Sequence, residues 1–215
     1  MRWIDATSLV AAGLLALGAE APLPSADAAL AELKAGNARH VAKTYQRPHQ
    51  TAARQHALES GQTPHCTILT CADSRVPPEI IFDKGLGDIF DVRVAGNTAG
   101  DDAVASLEYA AEHLHVPLIV VMGHTHCGAV SAAVEGGTLP GKLPGLIAEL
   151  RPAVEESAHE PGDRIENAVR DNVALVVKQL LAAKPVLSEL VATGKLRIVG
   201  AVYSLETGKV DWLSK

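Results

Sequence analysis

Aromatic side chains are scarce in this 215-residue chain: two Phe, two Trp and three Tyr. An interior has to be built from Ala, Val, Leu and Ile instead, and no aromatic platform exists on which nucleic-acid bases could stack. Clustered basic residues are also missing, and the formal net charge is -6. Together these exclude a nucleic-acid partner. No apolar run is long enough for stable membrane insertion. The longest, Ala6 to Gly18, falls short of the roughly 20 residues that a spanning helix needs. There are only three cysteines, an odd number, so a disulfide framework is not expected. There is no internal repeat and no composition break that would mark a second folded domain.

What is present alternates. Apolar runs with strand character cover 65–70, 88–94, 117–122 and 196–203, and helical periodicity lies between them. Val210 to Leu213 follows Glu206-Thr207-Gly208-Lys209 and reads as a hairpin return. The expected fold is α/β: a mostly parallel central sheet of 4–5 strands flanked by helices, with an N-terminal helical arm and an antiparallel C-terminal edge strand. Ser25 or Asp27 caps a helix running toward Val41. Asp163-x-x-Glu166 has the form of a capping box that opens a long helix with Val169, Val173, Val176 and Leu180 on its apolar face. Residues 26–215 are read as one domain. Residues 1–25 are read as a secretory signal, with Arg2 ahead of the apolar stretch and small residues after it, which places the chain in the periplasm. Asp5 stands where positive charge belongs, and the alternative is a cytoplasmic chain with an N-terminal arm.

Chemistry-bearing residues gather where two strands end. Cys71-Ala72-Asp73-Ser74-Arg75 follows the first strand, and Gly123-His124-Thr125-His126-Cys127-Gly128 follows the third. In open α/β sheets the carboxyl ends of strands are where sites form. Cys71, His124 and Cys127 make a Cys₂His set with one position left open, a catalytic zinc pattern, and thiolate and imidazole donors favour zinc over calcium or magnesium. Asp73 is the hydrogen-bond acceptor beside that set, and Arg75 can hold it in a charge-assisted pair. Cys66, inside the first strand, is core filler. His126 lies between two ligands, and its side chain is expected to diverge from theirs.

Cys71-x-Asp73-Ser74-Arg75 with His124-x-x-Cys127 resembles the signature of the β-class carbonic anhydrases. Leu33-x-x-Gly36-Asn37, Arg93-Val94-Ala95-Gly96-Asn97 and Tyr203-x-x-x-Thr207-Gly208 support the likeness, which runs from about Ala29 onward; Ala129 departs from it where the family often has glycine. The resemblance implies Zn²⁺ as cofactor and reversible hydration of CO₂ to bicarbonate and a proton by zinc-hydroxide attack. Two thiolates cancel the metal's formal charge, so its water should be less acidic than in a three-histidine site. The resemblance gives Asp73 one of two roles, orienting the nucleophile or binding zinc itself as a fourth ligand in a closed state. It places Gln62, nine residues before Cys71, as a donor to a substrate oxygen, and Phe90, Tyr109 and Gly128 in the substrate pocket. Ile68 replaces the Trp found in members with an inhibitory bicarbonate site. A homodimer or higher even homo-oligomer follows, with pocket residues drawn partly from a second chain. Two rivals stand beside this reading: hydrolysis of CS₂ or COS on the same zinc set, and a closed structural zinc module without turnover.

Overall fold

Four apolar stretches pair side by side as parallel strands, and a short fifth turns back along the last of them. The computed structural model describes residues 23–213, so the signal or arm expected for residues 1–25 lies almost wholly outside the described residues. In chain order the elements are α1 (Ala26–Ala42), α2 (Ala52–Ala57), β1 (Cys66–Thr70), α3 (Pro78–Ile81), β2 (Ile89–Arg93), α4 (Asp101–Glu112), β3 (Leu118–His124), α5 (Gly128–Glu135), α6 (Leu143–Glu156), α7 (Arg164–Ala182), α8 (Val186–Ala192), β4 (Arg197–Tyr203) and β5 (Val210–Trp212). The sheet order is β2-β1-β3-β4-β5, with β5 antiparallel to β4 and every other pair parallel.

β1 and β3 are buried along their whole length. That is why they read as unbroken apolar runs rather than alternating ones: both faces of a parallel sheet are covered. Helix α7 lies across β3 and β4, and its buried Val173 faces a glycine on each strand. A Cβ on Gly123 or on Gly200 would come within 2.8 Å of a Val173 methyl, so both strands keep glycine there and let the helix close on the sheet. Burying one such valine contributes about 1.5–3 kcal/mol.

The N-termini of the two longest described helices, α1 and α7, are capped by side chains. Ser25 Oγ accepts from the Ala28 N–H. Asp163 accepts from the N–H groups of both Ile165 and Glu166. Asn37, buried on α1, ties distant parts of the chain together. Its amide donates to the carbonyls of Ile81 and Gly208 and accepts from the Val210 N–H. The first described helix is thereby stitched to the hairpin before β5.

Helix α2 is short, Ala52–Ala57, and none of its residues is buried. Helix α6 begins at Leu143 with Pro144 in its first turn, where proline is tolerated.

Candidate metal centre

The strand order reverses direction between β1 and β3: the chain leaves β1 for β2 on one side, then comes back to build β3 and β4 on the other. A cleft at the carboxyl ends forms at such a switch point. The register there pairs Thr70 with Met122, which carries Cys71 alongside Gly123, one residue from His124. Cys127 follows after a tight turn and stands at the N-cap of α5. The ligand atoms of Cys71, His124 and Cys127 consequently lie within 4.8 Å of one another. All three residues are buried, His124 completely.

These residues fit a soft metal. His124 Nδ1 bonds the Thr125 carbonyl at 2.9 Å, which fixes the ring and leaves Nε2 facing the cysteines. Nε2 is buried and without a hydrogen-bond partner among the described residues, a costly state for a polar atom unless something else ligates it. The sulfurs share the same need for positive charge. Hydrogen bonding from Cys127 brings the Cys71 thiol down to about 4, with further help from His124 and from the Gly96 N–H, which lies 3.3 Å from the sulfur. Its thiolate in turn pushes the Cys127 thiol upward, while the Ala129 and Val130 N–H groups oppose that rise. Burial disfavours charge on His124, but the neighbouring Cys71 thiolate outweighs it and moves the imidazole upward. A dication in this space would be met by two thiolates and an oriented imidazole.

Asp73 stands at the rim. Its carboxylate takes a two-pronged pair from Arg75, with Nε at 2.9 Å and Nη2 at 2.7 Å, and also the Arg75 N–H at 2.9 Å. Those bonds from Arg75 hold the Asp73 carboxyl well below the usual carboxylate range. Asp73 Oδ2 is 3.8 Å from His124 Nε2, so the paired carboxylate borders the ligand space. Arg93 braces the loop beneath, donating to the carbonyls of Cys71 and Asp73. The sequence reading missed this contact. The signal was the Arg93-Val94-Ala95-Gly96-Asn97 stretch, which the register Thr70–Arg93 brings beside the first ligand.

Of the pocket residues expected from sequence, Gln62, Phe90 and Tyr109 come from segments other than those that carry the three donors, while Gly128 adjoins Cys127. Gln62 lines a cavity of about 560 Å³ with Gln55, Leu58 and Gly87. Phe90 lines another, of about 320 Å³, together with Arg93 and Asp102. Tyr109 is half exposed and packs on Phe90, with ring centroids 6.1 Å apart, and on His113 at 5.2 Å. Gly128 opens α5 directly after Cys127, with open space where a side chain would be. Cys66 is buried in β1, and burial pushes its thiol up to about 12, in keeping with an inert core residue.

Fold and site together define a mostly parallel, doubly covered α/β protein with a Cys₂His cluster able to hold a metal at its topological switch point. Residues 66–210 match the family model for carbonic anhydrase. Carbonic anhydrase 2 of Mycobacterium tuberculosis (strain CDC 1551 / Oshkosh) is 42% identical over 186 residues, 85% of this chain and 90% of that protein. A Coccomyxa β-carbonic anhydrase solved with acetazolamide superposes with a TM-score of 0.69 at 30% identity, covering 74% of this chain and 76% of the other. A structure from work on two tetrameric β-carbonic anhydrases of Sordaria macrospora gives 0.69 at 27% identity, over 88% and 98%. The chain belongs to the carbonic anhydrase family, in its β class, and is a carbonic anhydrase. Hydration of carbon dioxide is the general activity of that family, and its members are generally zinc-dependent.

Proposed function

We propose that this chain hydrates CO₂ reversibly to bicarbonate and a proton, with Cys71, His124 and Cys127 holding Zn²⁺. The observation that carries the reading is the convergence of those three donor atoms within 4.8 Å, with an ionised carboxylate 3.8 Å from the imidazole. When bound, zinc supplies the Lewis acidity that makes a water nucleophilic near neutral pH.

The chain's own residues supply the rest. Asp73 has no proton to give and serves as an acceptor, orienting the nucleophile toward the carbon of CO₂. Arg75 saturates the Asp73 carboxylate from the side, which keeps it from acting as a fourth ligand and favours the open site over the closed one. An open fourth position is what separates a catalytic set from a structural one. Gln62 donates its amide to a substrate oxygen, while Phe90, Tyr109 and Gly128 wall the pocket. Within one chain Gln62 and Phe90 line cavities apart from the donors, which supports a site completed by a second copy. A homodimer or higher even assembly follows, and the Sordaria macrospora neighbours, described as tetrameric, agree with that. Export to the periplasm remains our reading for residues 1–25.

Stopped-flow CO₂ hydration tests this reading, with CS₂ and COS offered as rival substrates. Turnover of CO₂ well above that of either rival is expected. Hydrolysis of CS₂ or COS without CO₂ hydration would replace the reading with the rival activity.

A further inference from the structure

The turn that joins His124 to Cys127 is held at nearly every backbone group. The Thr125 N–H donates to the Tyr203 carbonyl at 2.9 Å, and Thr125 Oγ1 accepts from the Leu205 N–H at 2.9 Å. The Cys127 carbonyl accepts from the N–H and the hydroxyl of Ser131. The residue between the ligands is His126, which adopts a left-handed conformation with φ of +54°. For a residue with a Cβ that conformation is uncommon and persists only where its surroundings impose it. Two contacts impose it here. The His126 carbonyl accepts from Arg75 Nη2 at 3.4 Å, and the His126 N–H donates to Glu166 Oε1 at 3.0 Å.

Glu166 is thus turned away from the role its sequence pattern suggests. Asp163 caps α7 through its own carboxylate, bonding the Ile165 and Glu166 N–H groups. The Glu166 side chain crosses instead to the loop between the metal donors. That loop also receives Arg75, whose guanidinium binds Asp73 at the same time. His126 therefore stands between a carboxylate on its N–H and a guanidinium on its carbonyl.

We propose that Glu166 is a positioning residue: as a hydrogen-bond acceptor it fixes the left-handed turn at His126, which sets the spacing of His124 and Cys127 and presents the carbonyl on which Arg75 rests. The inference rests on the zinc reading above. Without Glu166 the His126 N–H loses a charge-assisted bond, the turn relaxes toward ordinary backbone angles, and the two donors no longer stand ready for the metal. Glu166 is not among the metal donors and bonds backbone instead, so its effect reaches the reaction only through the geometry of others. Partners one step removed from a metal typically change its affinity by about 10–100-fold. A bond to backbone rather than to a ligand belongs at the lower end of that range.

The test is the rate at which zinc-loaded protein gives up its metal to excess chelator, read for wild type, Glu166→Ala and Glu166→Gln, with the melting temperature of each metal-free form as a control. Gln keeps an oxygen that can accept from the His126 N–H, whereas Ala does not. The expected result is release about tenfold faster in Glu166→Ala, release within about twofold of wild type in Glu166→Gln, and metal-free melting temperatures that agree. Equal release rates in Glu166→Ala and wild type would overturn the assignment, and so would an equal acceleration in both variants. A metal-free Glu166→Ala that melts far below wild type would overturn it too, by showing a general structural role. A wild-type chain that binds no zinc would overturn the zinc reading itself, which is a distinguishable outcome.

Discussion

The metal donors and the expected substrate-pocket residues are built in opposite ways. Cys71 follows β1, His124 closes β3 and Cys127 stands at the N-cap of α5 after the turn that leaves β3, so the parallel register of two adjacent strands brings the three together in a single chain. Gln62, Phe90 and Tyr109 come from a loop, the edge strand β2 and a half-exposed helix face; Gln62 lines one cavity, and Phe90, with Tyr109 packed on it, lines another. The donors stand at the ends of the two strands buried along their whole length. The residues proposed for substrate recognition stand where a neighbouring chain could reach them.

The sharpest way to break this contrast is to attack the buried side. Cys71→Ser or Cys127→Ser should lose zinc and reduce CO₂ hydration to the uncatalysed background, read by metal analysis and stopped flow on the same samples. Retention of one tightly bound zinc per chain by both variants would contradict the donor assignment.

At the rim the effects should separate zinc from turnover. Asp73→Asn should keep zinc and lose about 10²–10⁴-fold in kcat, the usual contribution of a well-placed proton-handling or orienting group. Arg75→Ala should be inactive for a different reason. It frees the Asp73 carboxylate to enter the fourth position, since zinc accepts oxygen ligands readily. X-ray absorption on the two variants should therefore differ, with an added protein oxygen in Arg75→Ala alone.

On the recognition side the expected effects are smaller. Removing one neutral hydrogen bond costs about 1 kcal/mol, close to a fivefold change, so Gln62→Ala should lower kcat/KM by about that factor and leave zinc content untouched. If Gln62 serves the site of a neighbouring copy, mixed oligomers of Gln62→Ala with Cys71→Ser chains should recover some activity. Recovery beyond that of Gln62→Ala alone requires a wild-type Gln62 beside an intact metal site in the other chain.

The smallest effect concerns α1. His40 is buried on α1, with its ring nitrogens against the Tyr45 and Tyr203 hydroxyls at 2.8 and 3.1 Å. Burial, and then the charge of Lys43, lowers its pKa from the ordinary 6.5. The unfolded chain therefore takes up the proton first, so the stability His40 contributes is present above pH 6.5 and is lost as pH falls below it. Melting temperature should decline on acidification in wild type, and the decline should be shallower in His40→Phe.

The two regions also differed in how far the sequence exposed them. Strand positions were legible because β1 and β3 are covered on both faces and so must be continuously apolar. The Cys₂His set was legible because both motifs close strands, and the ion pair of Asp73 with Arg75 followed from their spacing. The order β2-β1-β3-β4 was not legible, since local periodicity says nothing about which strands are neighbours. Arg93 was hidden for that reason: only the register of β1 with β2 carries it to the Cys71 and Asp73 carbonyls. Glu166 was concealed by a pattern with two readings. Asp-x-x-Glu describes a reciprocal cap, but here Asp163 caps alone and Glu166 is left to reach the His126 N–H. Gln62, Phe90 and Tyr109 could be named through family likeness, because their chemistry in isolation is that of a loop amide, a packed ring and a surface phenol.

The central claim is that one zinc, held by Cys71, His124 and Cys127, is the seat of catalysis. Its most direct test is a titration of metal-free protein with zinc, following CO₂ hydration by stopped flow and bound metal on the same samples. The expected result is activity that rises in proportion to zinc and levels off at one equivalent per chain. Full activity in the metal-free protein, or saturation at one zinc per chain with no CO₂ hydration, would contradict it.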